Sequence, residues 1–437
     1  MSRILVATQS AAGHVAPFAT AVRGLVARGH EVVWYTGEAQ RARVTASGAG
    51  FVGPRHGVLP DFEKLEDDFP EMVTMNDAAR AAWFVERIFV APSGGQYRDL
   101  SAITADHAID VVLADSTLLS AGLLHELDAT LWATLSIAPV AIPDPDVPPY
   151  GMGWQPGRTP LHRLRNVVFD QLGQRVMFRQ PLARMNEVRA ELGLKAVATT
   201  FEGNATPYLY LQATAAEFEY PRSRLEGRPF HFVGPLLPGP SPRFDPPPWW
   251  PELDEGRPVI LVTQGTSARA PDQLITPSIE ALAGSGMLVV ITGQSGLGPL
   301  PGNVRAAPFL PYDVLLPKLS VVVTNGGYGT VQQALAHGVP IVAAGMTEDK
   351  PEVCARVQWS GAGVYLRTRK PTPAKLRSAV RRVLATPRYA AGARRMAAAF
   401  AAHDAPQEIA GLVEELVSTR APVTGRPPPA RLGKGMP

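Results

Sequence analysis

The chain has 437 residues, 46% apolar and 19% charged, with 42 Lys and Arg against 39 Asp and Glu for a formal net charge of +3. That composition supports a sizeable core, excludes global disorder, and shows no basic stripe of the kind a nucleic-acid surface needs. One cysteine, Cys354, excludes an intrachain disulfide and a cysteine-ligated zinc.

At roughly 150 residues per domain, two or three domains are expected. No stretch approaches the roughly 20 apolar residues of a membrane span. The first residues lack the pattern of a secretory signal. The expectation is a cytoplasmic protein without stable membrane insertion. Arginine supplies 35 of the 42 basic residues, and Ala, Gly and Pro are abundant. That usage points to a GC-rich bacterial genome.

Residues 3–9 read as a strand and 16–28 as a helix with Phe18, Val22, Leu25 and Val26 on its apolar face. Residues 31–36, 110–114, 131–136 and 208–213 read as further strands. The βαβ rhythm and near-continuous apolar runs predict an α/β fold with a covered parallel sheet. Eight prolines between Pro235 and Pro251 then break the rhythm. Such a run reads as a stiff linker. Strands resume at 258–263, 288–292, 321–324, 341–344 and 363–366. The expected organisation is a first domain at 1–230, a linker at 231–254 and a second domain at 255–395. Closing helices follow at 396–418, amphipathic over 406–418, and then a disordered tail at 419–437.

In open α/β sheets, ligands bind beyond the carboxyl ends of the strands. Three segments there carry chemistry. Gln9-Ser10-Ala11-Ala12-Gly13-His14 follows the first strand. A histidine there can serve as a general base, since its ordinary pKa is near 6.5; it can equally pack at a helix start. Asp115 follows the 111–114 run. It can hold an imidazole N–H and fix the tautomer, or cap the next helix. Asn325-Gly326-Gly327-Tyr328-Gly329-Thr330 is a glycine-rich turn between strand and helix, where free N–H groups and the helix dipole make an anion site. It lacks Walker spacing. The acidic stretch 61–71, with Asp67 and Asp68, reads as a solvated loop. Met75, Trp83, Phe84, Ile88 and Phe89 recur at mixed helical spacing, as core residues would. Residues 140–160, with six prolines, Tyr150 and Trp154, read as a mobile cleft loop.

Several motifs occur in one order: Gly13-His14-Val15-Ala16-Pro17, Phe309-Leu310-Pro311-Tyr312, Asn325 to Thr330, Gly338-Val339-Pro340 and Glu348-Asp349-Lys350. With them the chain resembles the family 1 nucleotide-sugar-dependent glycosyltransferases of the GT-B fold. The bacterial branch that it resembles acts on macrolides, polyketides, flavonoids and similar aglycones. The resemblance reaches to about residue 418. It implies two Rossmann-like α/β domains facing across a cleft, the first binding the acceptor and the second the nucleotide sugar. His14 would take the acceptor's proton with Asp115 behind it. Phe309 stands where an aromatic stacks on the nucleotide base. Asn325, Gly326, Gly327, Tyr328, Gly329 and Thr330 form the diphosphate turn, and Gln333 occupies a ribose-binding position. Asp349 and Lys350 match the pair that holds the donor sugar, and Thr266 and Ser267 another donor loop. Trp83, Phe84, Phe89 and Trp154 would line the acceptor pocket.

There are departures. Asn325 replaces a phosphate-binding histidine, Gln333 a carboxylate, and Lys350 a glutamine. Lys350 could pair with Glu352 or Asp349 instead of a sugar. The nucleotide stays open between UDP and dTDP. The implied activity is metal-independent, inverting transfer of a hexose to a hydroxyl of an apolar natural-product aglycone, as in antibiotic biosynthesis. It needs no cofactor beyond the nucleotide-sugar co-substrate. Two alternatives are a nucleotide-sugar epimerase of the same architecture and a non-catalytic homologue acting as a partner protein.

Overall fold

The computed structural model describes residues 1–425 apart from 158, 202–204, 242–243, 266–271 and 295. Two parallel sheets account for its strands. The first orders β3 (Gly50–Val52), β2 (Glu31–Tyr35), β1 (Arg3–Ala7), β4 (Val111–Asp115), β5 (Trp132–Ser136), β6 (Leu209–Gln212) and β7 (Phe230–Phe232). The second orders β10 (Val304–Ala307), β9 (Leu288–Thr292), β8 (Val259–Thr263), β11 (Val321–Thr324), β12 (Ile341–Ala343) and β13 (Gly363–Tyr365). Every ladder is parallel, with Ile4 opposite Val111 in the first sheet and Val322 opposite Leu261 in the second. The central strands are apolar on both faces because helices cover both. Ile4 and Val6 pack into one core, Leu5 and Ala7 into another.

In each sheet the strand order reverses once, between β1 and β4 and between β8 and β11. A crevice opens at such a switch point, beyond the strands' carboxyl ends. That geometry places the site.

Three strands escape the sequence reading: β3, β7 and β10. Each is a sheet edge, three or four residues long and largely half-exposed, so none carries a continuous apolar run. The first helix spans Ala12–Ala27 and starts four residues before the expected 16, which puts His14 in its first turn.

The closing helix Ala405–Thr419 does not finish the second sheet. It crosses back, and its Ile409, Ala410, Val413 and Leu416 share one core with Val15, Phe18 and Val22. A Cβ on Gly24 would come within 2.8 Å of Pro406, so the two helices touch at the backbone. Arg28 and His30 both bond Glu414. The expectation of disorder from residue 419 is corrected up to residue 425. Val423 is buried, its N–H donates to the Tyr208 carbonyl at 2.8 Å, and its carbonyl meets His231. No helix among the described residues is long and apolar enough to cross a membrane.

Candidate active site

At the first switch point, β1 leads into the helix that carries His14, and β4 ends on Asp115. The pairing of β1 with β4 brings these two residues together across 101 positions of sequence. His14 Nδ1 lies 2.5 Å from Asp115 Oδ2. The other oxygen, Oδ1, accepts from the Thr117 N–H at 2.9 Å and its hydroxyl at 2.8 Å. Asp115 is thus saturated and sealed from solvent, while 21% of the His14 side chain stays exposed. The cap reading of Asp115 survives only as a local turn to Thr117, since the next helix begins at Ser120.

Burial pulls the His14 pKa down, but the Asp115 charge and hydrogen bond, with the charge of Asp349, outweigh it and raise it above the ordinary 6.5. Burial pushes Asp115 up, and His14 with the two Thr117 bonds brings it below the usual carboxylate value. An ionised Asp115 can only accept, so Nδ1 carries the proton and Nε2 keeps its lone pair.

Asp349 approaches from the other half. It precedes the helix Lys350–Trp359 and caps it with no side-chain bond. Burial pushes its carboxyl up to about 6, against the opposing pull of His14. Lys350 is buried, and burial brings its ammonium down to about 8. Its Nζ meets Glu348, not Glu352 or Asp349 as the sequence suggested. Glu348 itself holds a left-handed backbone, φ 57°. Such strain in a non-glycine residue clusters at functional sites.

At the second switch point, Gly326 turns with φ 87°, where a Cβ would come within 2.3 Å of the Cys354 sulfur. Gly327 then caps the helix Tyr328–Ala336, and no side chain among the described residues caps that N-terminus. Asn325 donates to the Gln264 carbonyl at 2.5 Å and accepts from the Gly327 N–H at 3.3 Å, stitching the β8 loop to the turn. Tyr328 turns its ring toward Phe218, and its hydroxyl meets Gln212 of β6. The Gln333 amide bonds back to the Gly329 carbonyl. Phe309 is 76% exposed beside the buried Leu310. Thr266 and Ser267 lie outside the described residues. A pocket of about 190 Å³ opens here, lined by Gln264, Asn325, Gly345 and Lys350 with Glu66 and Arg80 from the first half.

The aromatic residues divide. Phe84 packs edge-on against Phe62 and Phe89, and Phe62 stands 6.5 Å from the His14 ring. Trp83 packs on Phe69, and Trp154 on Phe169 under Arg165. Phe89 falls in a π-helical turn, Val85–Val90, a device that re-aims side chains and recurs at functional sites. The sequence reading missed Phe62, Thr117 and Glu66. Thr117 had a signal, the Asp-x-Thr spacing of a side-chain turn. Phe62 and Glu66 had none, because they sit in the stretch read as solvated.

Residues 282–416 match the family described as the C-terminal domain of erythromycin biosynthesis protein CIII-like proteins. The chain is 41% identical over 425 residues to 4'-demethylrebeccamycin synthase of Lentzea aerocolonigenes, covering 95% of this chain and 100% of that protein. It is 30% identical over 428 residues to UDP-glycosyltransferase 2 of Phaeomoniella chlamydospora, covering 93% and 94%. Among solved structures, the calicheamicin glycosyltransferase CalG4 superposes with a TM-score of 0.75 at 25% identity, covering 97% of this chain and 100% of that one. The spinosyn rhamnosyltransferase SpnG complexed with thymidine diphosphate does so at 0.66 and 20% identity, covering 95% and 99%. Whole-length identity and two parallel sheets with facing switch points agree: the chain belongs to the GT-B glycosyltransferases of natural-product biosynthesis.

Proposed function

We propose that the protein moves a sugar from UDP or dTDP to a hydroxyl of an apolar, aromatic natural-product aglycone, inverting the anomeric centre. The observation that carries this reading is the hydrogen-bonded His14–Asp115 pair at the first switch point, with Asp349 of the other half close enough for its charge to raise the His14 pKa. Nε2 takes the acceptor's hydroxyl proton as the new O–C1 bond forms. The bond from C1 to the diphosphate oxygen breaks, and its electron pair leaves with the nucleotide. Attack from the face opposite the leaving group inverts the centre through an oxocarbenium-like state. Asp115 keeps Nδ1 protonated and stabilises the imidazolium.

The leaving charge would meet the N–H groups of Tyr328, Gly329 and Thr330 at the helix start, which no described side chain caps. Phe309 would stack on the base, with Thr266, Ser267 and Gln333 completing the nucleotide site. Asp349 would accept from donor-sugar hydroxyls. Lys350 can only donate, so the sugar atom facing it must offer a lone pair. Phe62 beside His14, with Phe84 and then Phe89 packed behind it, favours an apolar acceptor, and Trp83 and Trp154 would add to its pocket. Both nucleotides have support: the fungal relative's name specifies UDP, and SpnG is complexed with thymidine diphosphate. Neither alternative gains support from these relatives, whose names are those of transferases and a synthase.

The test is a thermal-shift series with UDP, dTDP and NAD, followed by transfer from UDP-glucose and dTDP-glucose to flavonoid aglycones. A ligand bound only by the native state raises the midpoint. We expect a shift with UDP or dTDP and none with NAD, and transfer that His14→Ala abolishes. Wild-type transfer rates in His14→Ala would remove histidine from the role of base.

A further inference from the structure

Arg356 is among the largest side chains fully sealed from solvent, and the reaction as described does not use it. It lies two turns into the helix that begins after Asp349. One guanidinium nitrogen donates to Glu352 Oε2 at 2.9 Å, another to Glu219 Oε2 at 2.9 Å, and the group stacks 4.3 Å over the Tyr220 ring. Glu219 and Tyr220 follow β6 and belong to the first half; Arg356 and Glu352 belong to the second. Glu219 also accepts from Arg222 and from the Val140 N–H. Glu352 Oε1 accepts from the N–H groups of Gly151 and Gly153 at 3.0 and 2.9 Å. The loop from Val140 to Gly153 is therefore held at one end by a carboxylate of its own half and at the other by a carboxylate of the opposite half. The two carboxylates share one arginine.

Gly153 makes the contact flush. Its φ is +59°, and a Cβ there would lie 2.9 Å from the Cβ and carbonyl oxygen of Pro351, two residues beyond Asp349. A buried ion network adds little net stability over apolar packing of the same volume. It does select one geometry, because each charge must keep its partners.

We infer that Arg356 is a positioning residue for transfer: by joining Glu352 to Glu219 it clasps the loop bearing Tyr150 onto the helix of Asp349 and sets Asp349 opposite His14. This rests on reading His14 and Asp349 as parts of one reaction centre. The clasp ties acceptor-side loop to donor-side helix, so it governs the alignment of the two substrates rather than the affinity for either nucleotide.

The experiment uses the full chain with spin labels on Asp106→Cys and Arg381→Cys, exposed positions on opposite halves; the native Cys354 is buried. Distance distributions are recorded with UDP and with dTDP for wild type, Gly153→Ala, Glu352→Ala and Glu352→Gln. Nucleotide release from UDP-glucose and dTDP-glucose with a flavonoid aglycone is measured on the unlabelled proteins. Gly153→Ala leaves every charge in place, so the test does not depend on the folding of a charge-deleted core. The expected result is a broadened distribution and a kcat lower by roughly 10- to 100-fold in Gly153→Ala and Glu352→Ala, with nucleotide affinity within about twofold of wild type. Glu352→Gln keeps an oxygen for both glycine amides and recovers part of the rate. Unchanged distributions in the variants overturn the inference, as does a nucleotide affinity that falls in step with kcat. A wild type that releases no nucleotide counts against the transferase reaction, and the distance distributions then judge the clasp separately.

Discussion

As the proposed base, His14 can act only while Nε2 is neutral, so the direction of its pKa shift sets the pH dependence expected of the reaction. The Asp115 and Asp349 charges raise that pKa above 6.5. Activity should therefore climb with pH through a midpoint above 6.5. Asp349→Asn removes one of the two raising charges, so the limb should move to lower pH while the donor KM rises; a pH series of kcat/KM reads both. If the limb stays in place, Asp349 does not face His14. Asp115→Asn offers an amide N–H to Nδ1, which turns the imidazole to the opposite tautomer. A fall in kcat of roughly 10²- to 10⁴-fold is expected, with nucleotide affinity unchanged by calorimetry. The stability signs follow from the same shifts. The raised His14 contributes stability that is complete below pH 6.5 and disappears as pH rises through its folded pKa. The lowered Asp115 contributes stability present above pH 3.8 and lost as pH falls through its folded pKa.

The turn after β11 concentrates the constraints on single elements. Gly326 must hold φ 87° and must leave room for the Cys354 sulfur. Gly326→Ala should cost roughly 1–3 kcal/mol from backbone strain alone, and more if the sulfur cannot shift. Chemical denaturation measures that loss, and weaker UDP or dTDP binding should accompany it, since the helix start moves with the turn. Phe309 behaves in the opposite way. Its ring is mostly in water, so Phe309→Ala should leave the unfolding midpoint unchanged. Loss of base stacking should weaken nucleotide binding by about 1–3 kcal/mol, read by calorimetry.

The whole molecule is not divisible at its proline-rich linker. The helix Ala405–Thr419 fills the core of the first sheet, so that core needs both ends of the chain. Ile409→Ala empties a fully buried position and should cost roughly 2–5 kcal/mol. Residues 1–254 expressed alone should fail to fold cooperatively, and co-expression with the remainder should restore solubility. Cooperative unfolding of the isolated fragment would show that the helix is dispensable. The return of this helix also explains how two halves joined by one linker keep their cleft in register without a disulfide.

Much of this was legible in the residues because local physics repeats along the chain. Interior strands such as β4 and β9 announce themselves as apolar runs. The prolines from 235 to 251 mark the break, and the glycines from 326 to 329 mark a tight turn between strand and helix through their backbone freedom. His14 and Asp115 could be nominated separately, each with an ordinary structural role as its rival. Their partnership came only through the family resemblance and not from spacing: they are 101 residues apart, and the β1–β4 ladder is what makes them neighbours. Three of the four edge strands, β3, β7 and β10, stayed hidden because they are half wet and carry no continuous pattern; the buried edge β13 did not. Phe62 was concealed among acids, and the destination of the closing helix could not be read, since an amphipathic face states that it will be buried and not against what. The sequence by itself determined the interior strands, the main helices and the chemistry available in the loops that follow those strands. The tertiary structure alone decided which groups meet, because contacts between distant segments are set by sheet order and packing, which no local period encodes.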